Sequence, residues 1–160
     1  MNRTEPQAAL RGKIDFLSFQ LGGNDYGVEF RKVKELRTLK SLERFASDGT
    51  IISGVAVSRG VIMPIVDMRV AFDKRAPAAG PTTDVIILQL ESCVVGMVVD
   101  GVTDVVGLYP EQITPIPGAD GDGECDYLLG LGEGEGKRLI LVDIDKLMSI
   151  KRERKEQRVA

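Results

Sequence analysis

Four aspartates, Asp67, Asp100, Asp104 and Asp143, each stand beside a run of apolar residues. Paired carboxylates in such a setting can do general acid–base chemistry. That chemistry also needs a nucleophile, a partner base or a cofactor loop, and the sequence places none beside them. Aspartates at strand ends commonly close turns or cap helices, and that is the reading adopted for these four. Two further segments imitate ligand sites. Gly132 to Lys137 looks like a phosphate loop, but the template needs Gly at 131 and Ser or Thr at 138, where Leu131 and Arg138 stand. The dinucleotide spacing fails too, because residues 135 and 137 are Glu and Lys and no strand-loop-helix follows. The segment reads as a hairpin tip. Asp120, Asp122, Glu124 and Asp126 copy the opening of a calcium loop, yet Cys125 occupies the glycine position and Leu131 the final glutamate position. It reads as an exposed acidic loop.

Composition removes most other chemistry. The 160 residues include no histidine, which excludes His-based acid–base catalysis, Ser-His and Cys-His nucleophiles, His-ligated metals and phosphohistidine relay. Cys93 and Cys125 are far apart and lack CxxC spacing, so neither a disulfide framework nor a zinc site is expected, and a reduced cytoplasmic setting is. A net charge of −3 argues against a nucleic-acid binder. Aromatics are 5% and Trp is absent, which argues against base-stacking platforms. No apolar run approaches the roughly 20 residues needed to span a bilayer, and Met1 to Pro6 lacks the apolar stretch of a signal peptide. Neither a cofactor nor a metal is expected.

What remains is binding, and the most informative stretch is Ile51 to Arg69. Two arms rich in Val, Ile and Met flank Ser58-Arg59-Gly60, the pattern of a tight β-hairpin in which Gly60 supplies the unusual backbone angles. Arg59 then stands on a rigid turn and can face a partner. As a bare surface charge it would be worth little; as a presented anchor it fits the enrichment of arginine at binding hot spots.

The elements that must position it are short strands. Residues 14–21 read as a strand, 22–25 as a turn and 26–30 as the return strand. Val33, Leu36 and Leu39 recur every three residues within 31–40, which leaves a short helix and an irregular strand both open. Residues 41–50 read as a loop. After the central hairpin come a brief helical turn from Met68 and a Pro/Ala/Gly linker over 74–83. Strands follow at 85–90, 93–99 and 102–108, then a proline-punctuated loop anchored by Ile113 and Ile116. A hairpin with arms 127–131 and 138–142 comes next. Asp143 reads as a helix N-cap, with Ile144, Leu147 and Met148 facing inward. Some eight to ten short strands with little helix mean barrels or sandwiches.

Several motifs then fall into a known order. Tyr26-Gly-Val-Glu-Phe and Val33-Lys-Glu-Leu-Arg37 lead, and Gly54-Val with Arg59-Gly60, Pro64-Ile-Val-Asp67 and Arg69 follow. Val94-Val-Gly-Met-Val-Val-Asp100-Gly-Val, Tyr127-Leu-x-Gly-Leu-Gly and Leu139-Ile-Leu-Val-Asp-Ile-Asp-Lys-Leu complete the set. This arrangement resembles the CheW chemotaxis coupling proteins, over about residues 14–150. The resemblance implies an all-β fold, two packed SH3-like five-stranded β-barrel subdomains with short helical segments and a C-terminal helix. It makes 14–150 one CheW-like domain of two interleaved barrels, with 1–13 a flexible leader and 151–160 a basic tail. It also implies a non-catalytic adaptor joining chemoreceptor cytoplasmic tips to the regulatory domain of the histidine kinase CheA, in the cytoplasm beneath membrane-associated arrays. No nucleic acid and no membrane insertion are implied. The positions matching that family's receptor and kinase contacts are Val33, Glu35, Gly54, Arg59, Val102 and Val105.

Two departures fall near that surface. Many relatives carry Asn-Leu-Arg-Gly at the hairpin turn where this chain has Val57-Ser58-Arg59-Gly60, and the approach to Gly54 lacks the proline often found there. The competing expectations are a scaffold of another chemosensory pathway, such as pilus motility, a small-ligand or enzymatic β-barrel, and a stress or transcription adaptor of similar fold.

Overall fold

The computed structural model describes residues 12–45, 52–69, 83–117 and 127–148. Among these described residues twelve strands form two sheets. They are β1 (Ile14–Leu21), β2 (Asn24–Glu29), β3 (Val33–Thr38), β4 (Glu43–Phe45), β5 (Ile52–Ser58), β6 (Val61–Asp67), β7 (Asp84–Gln89), β8 (Val94–Val99), β9 (Gly101–Leu108), β10 (Ile113–Thr114), β11 (Leu128–Gly134) and β12 (Lys137–Val142). The first sheet runs β10-β11-β12-β2-β1-β9 and the second β3-β7-β8-β6-β5-β4. The chain starts in the first sheet, builds the whole second sheet, and returns to complete the first. Each sheet has five principal strands plus one very short one, β10 or β4.

The near-continuous apolar runs have a structural cause. Successive side chains on a strand point to opposite faces, so an uninterrupted run must be buried on both. On β7, Val85 and Ile87 join one cluster with Ala56, Met63, Ile65 and Val98 of the same sheet and with Leu39 and Leu42, which stand between β3 and β4. A sheet whose own side chains meet in this way has curled around them. Ile86 and Leu88, on the other face, join a larger cluster that draws Leu17 and Phe19 from β1, Val28 from β2 and Met97 from β8. Phe16, Val106, Leu108, Leu139 and Leu141 form the interior of the first sheet. Each barrel thus has its own core, and a third core glues the two together.

The two sheets repeat one plan. Gly54, Arg59, Gly60, Ile65 and Asp67 correspond to Gly130, Glu135, Gly136, Leu141 and Asp143 at identical spacing. Both hairpins turn on two residues with positive φ, Arg59 (52°) with Gly60 (81°) and Glu135 (53°) with Gly136 (76°), the type I′ geometry that matches strand twist. Each barrel contains a parallel pair, β6 with β8 and β12 with β2, in which Ile65 meets Gly96 and Leu141 meets Gly27. Because its last strands come from the N-terminus, the first barrel is a circular permutation of the second.

Three expectations need correction or completion. Residues 43–45 form a strand, β4, paired with β5, where a loop was expected; three residues are too few to show a period. Residues 30–41 are a 3-10 turn (Phe30–Lys32), then β3, then a second 3-10 turn (Leu39–Ser41), with a register shift between Val33 and Glu35. The irregular strand is therefore the form adopted, and Leu36 points outward while Leu39 is buried. The C-terminal hairpin is much tighter than its glycines suggested. Gly132 and Gly134 lie within β11, and a Cβ on Gly132 would sit 2.5 Å from Leu108 Cδ1. Glycine there serves close packing inside the barrel, with the turn further on. The helical start after Asp143 is as expected: its Oδ1 accepts from Lys146 N–H at 3.2 Å, and Ile144, Leu147 and Met148 are buried. Residues 1–11 of the leader, residues 74–82 of the linker expected over 74–83, the acidic loop over 118–126 and the tail over 151–160 lie outside the described residues.

Candidate partner-binding site

The β5–β6 turn places Arg59 in the left-handed region, where a non-glycine residue pays a steric penalty. Its guanidinium is 81% exposed and lies 3.4 Å from Glu35 Oε2, across the gap between β3 and the hairpin. Such an exposed pair contributes only about 0–1 kcal/mol. The backbone turn, more than the ion pair, determines where Arg59 points.

Behind it lies a better satisfied network. Arg37 Nη1 donates to the buried Ser58 Oγ at 2.9 Å, and its Nε and Nη2 donate to Ser41 Oγ at 3.1 Å and Ser41 O at 2.9 Å. Ser58 Oγ and Glu35 Oε1 are 3.5 Å apart. Glu35 and Arg37 alternate on β3, so both side chains take the same face and reach the hairpin together. Arg37 and Ser41 were not among the expected site residues. Their signal was the Glu-x-Arg spacing next to a serine hydroxyl, which becomes meaningful only once β3 and β5 meet. Ser58, at one of the two departures noted above, supplies the hydroxyl that accepts from Arg37.

The remaining expected positions divide between the sheets. Gly54 sits at φ 118°, in β5 where the pairing with β6 shifts register between Ile52 and Val55, so a side chain there would be strained. Val33 and Val102 both pack against the core between the barrels. Val102 N–H donates to Asp84 Oδ2 at 2.9 Å, which ties β9 of one sheet to β7 of the other. Val105 is 41% exposed on β9. The structure therefore brings Glu35 and Arg59 together, seats Val33 and Val102 on one shared core, and leaves Val105 open to solvent.

The aspartates are structural. Asp67 accepts from Arg69 N–H at 3.0 Å and from its Nε and Nη2 at 3.0 and 2.9 Å, forming a buried bidentate pair. That hydrogen bond to Asp67 holds Arg69 above the ordinary guanidinium range. Asp100 accepts from Gly22 N–H and Asp104 from Val105 N–H, each at 2.9 Å. A surface cleft of about 420 Å³ lies elsewhere, lined by residues such as Val28, Lys32, Glu91 and Asp145. Two of its charges meet each other, Lys32 Nζ lying 2.6 Å from Asp145 Oδ2, and Glu91 N–H donates to Asp145 Oδ1 at 2.8 Å. Among the described residues no cluster of metal-ligating groups occurs, and no helix is long and apolar enough to cross a membrane.

Comparison with known proteins places this geometry in a family. The model for the CheW-like domain matches residues 15–152. The chain belongs to the CheW-like family. It is similar to the chemotaxis protein CheW of Klebsiella aerogenes, 44% identical over 84% of this chain and 81% of that protein. It is also similar to the protein FrzA of Myxococcus xanthus, 28% identical over 92% of each. The solved scaffolding protein TtCheW from Thermoanaerobacter tengcongensis superposes with a TM-score of 0.70, covering 81% of this chain and 88% of that one at 21% identity. The paired SH3-like barrels are thus the fold of the CheW-like family.

Proposed function

We propose that this chain is a non-catalytic adaptor that couples chemoreceptor cytoplasmic tips to the histidine kinase CheA, in the cytoplasm at membrane-associated receptor arrays. Family membership supports a chemotaxis scaffold. The observation that carries the contact surface is Arg59, an exposed guanidinium on a rigid type I′ turn beside Glu35. Val33, Glu35, Gly54, Arg59, Val102 and Val105 form the contact set, with Gly54 shaping the hairpin and Val105 offering apolar area. Holding receptor and kinase on one small body raises their effective concentration and lets the state of one bias the other. The four aspartates are each occupied in bonds that shape the fold, which favours an adaptor over an enzyme.

Arg59→Ala is expected to weaken binding of a purified receptor fragment or of the kinase regulatory domain by at least about tenfold, the scale of a binding hot spot, with an unchanged melting curve. Titration calorimetry against each partner checks this; wild-type affinity for both would remove Arg59 from the contact set. A scaffold role in a different chemosensory pathway is the second reading, favoured by the similarity to FrzA over nearly the whole of both chains. Capture of partners from the native extract separates the two by which kinase is recovered.

A further inference from the structure

Among the described residues strand β9 is an edge of its sheet, paired only with β1. In an antiparallel ladder every second N–H points away from the partner strand, so an edge strand offers a row of donors to any passing chain. On β9 these donors are taken. Val102 N–H donates to Asp84 Oδ2 at 2.9 Å, Val105 N–H to Asp104 Oδ1 at 2.9 Å and Gly107 N–H to Glu135 Oε2 at 3.2 Å. Just past the strand, Tyr109 N–H donates to Gln112 Oε1 at 2.8 Å. The donors fall on alternate residues from 105 onward, and the wider step from 102 reflects the register shift opposite Ser18 and Phe19. The acceptors come from four places: the start of β7, β9 itself, the β11–β12 turn and the 3-10 turn at Pro110–Gln112. Lys137 Nζ, 3.2 Å from Asp104 Oδ2, anchors that carboxylate from the hairpin across the gap.

We propose that these side-chain acceptors seal β9 against strand addition, and that without them the edge pairs with β9 of a second copy. A second copy is the occupant because antiparallel β9–β9 pairing is self-complementary about a two-fold axis. The sealing groups near the open stretch are also carboxylates, so a second strand would have to displace charged acceptors from these donors before it could pair. Thr103 and Val105, both exposed, are β-branched residues suited to a new ladder once those charges go.

The test uses the full chain and reads amide hydrogen exchange residue by residue, together with mass by analytical ultracentrifugation over a concentration series. In the wild type the Val105 and Gly107 amides are expected to exchange more slowly than random-coil rates. In the Asp104→Ala/Glu135→Ala pair they are expected to exchange at least about tenfold faster, and mass to climb toward a dimer at concentrations where the wild type does not. The Asp104→Asn/Glu135→Gln pair keeps the acceptor oxygens and is expected to retain protection and wild-type mass. Random-coil exchange at both amides in the wild type overturns the proposal. So does an alanine pair whose amides open while its mass stays at the wild-type value. Should the alanine pair fail to fold, the wild-type rates and the Asn/Gln pair decide: protection kept in both supports the seal, and its absence in the wild type overturns it.

Discussion

At the residue scale, the side chains behind Arg59 matter more to stability than Arg59 itself. Arg37 makes three well-formed hydrogen bonds to Ser58 and Ser41, and its removal leaves the buried Ser58 hydroxyl with poorer partners. Arg37→Ala is expected to cost about 1–3 kcal/mol, read as a lower urea midpoint, and to weaken partner binding because Ser58 and Arg59 lose their backing. An unchanged midpoint would show that β3 and the hairpin are held by packing alone. Asp67 presents the sharper case. Truncating it removes the carboxylate that accepts from Arg69 N–H, Nε and Nη2, the last two on an almost fully buried side chain, so Asp67→Ala is expected to cost about 1–3 kcal/mol. Replacing Asp67 and Arg69 together by apolar residues should cost less than Asp67→Ala, since no buried guanidinium then remains to lose this carboxylate. A double-mutant cycle in urea checks the order.

At the element scale, the repeated hairpin explains why some glycines read correctly and others did not. Gly60 announced a turn and sits in one. Gly132 announced a turn and sits in a strand, because its missing Cβ makes room for Leu108. A glycine symbol carries both meanings, and only the neighbouring barrel wall decides between them. Gly132→Ala is expected to destabilise by about 1–3 kcal/mol through overpacking, whereas Arg59→Gly relieves a left-handed backbone and is expected to leave the melting temperature equal or higher while abolishing the partner contact. Thermal melts alongside binding titrations distinguish these two hairpins. A fall in stability with Arg59→Gly would mean that the Arg59–Glu35 pair contributes more than an exposed ion pair should.

At the scale of the whole molecule, the barrels are joined by the shared apolar core and by polar ties, of which Lys32–Asp145–Glu91 is one. Burial pushes the Asp145 carboxyl upward, but the hydrogen bond from Lys32 and the Glu91 N–H together outweigh it and hold the group below the ordinary carboxylate range. The same bond raises Lys32 against its own desolvation. A depressed carboxylate contributes stability above its unfolded value of about 4 and loses it as pH falls through the folded value. A raised lysine contributes below its unfolded value of about 10.4 and loses it as pH rises further. The tie is therefore intact across neutral pH, and on the acid side it is lost as Asp145 protonates. Asp145→Asn is expected to flatten the acid limb of the stability curve and lower the neutral plateau, as measured by urea titrations from pH 3 to pH 7, roughly the span from below the carboxylate range to neutrality. An unaltered acid limb would assign that slope to other carboxylates.

Local chemistry alone determined a good deal of this protein. Alternating and continuous apolar runs, turn glycines and the Asp143 cap set out most of the strands and the final helical start, because period, φ preference and capping are short-range properties. The absence of histidine excluded His-based chemistry, and the broken ligand templates removed the phosphate-loop and calcium-loop readings. Tertiary structure decided the rest. Whether residues 31–40 form strand or helix depends on β7 lying alongside. Whether Gly132 turns or packs depends on Leu108. The proposed partner surface depends on β3 and the β5–β6 hairpin, distant in sequence, closing on each other through Glu35, Arg37, Ser58 and Arg59. The duplicated plan, written in the spacing Gly54, Gly60, Asp67 and Gly130, Gly136, Asp143, became legible only after both hairpins were seen to occupy the same place in their barrels.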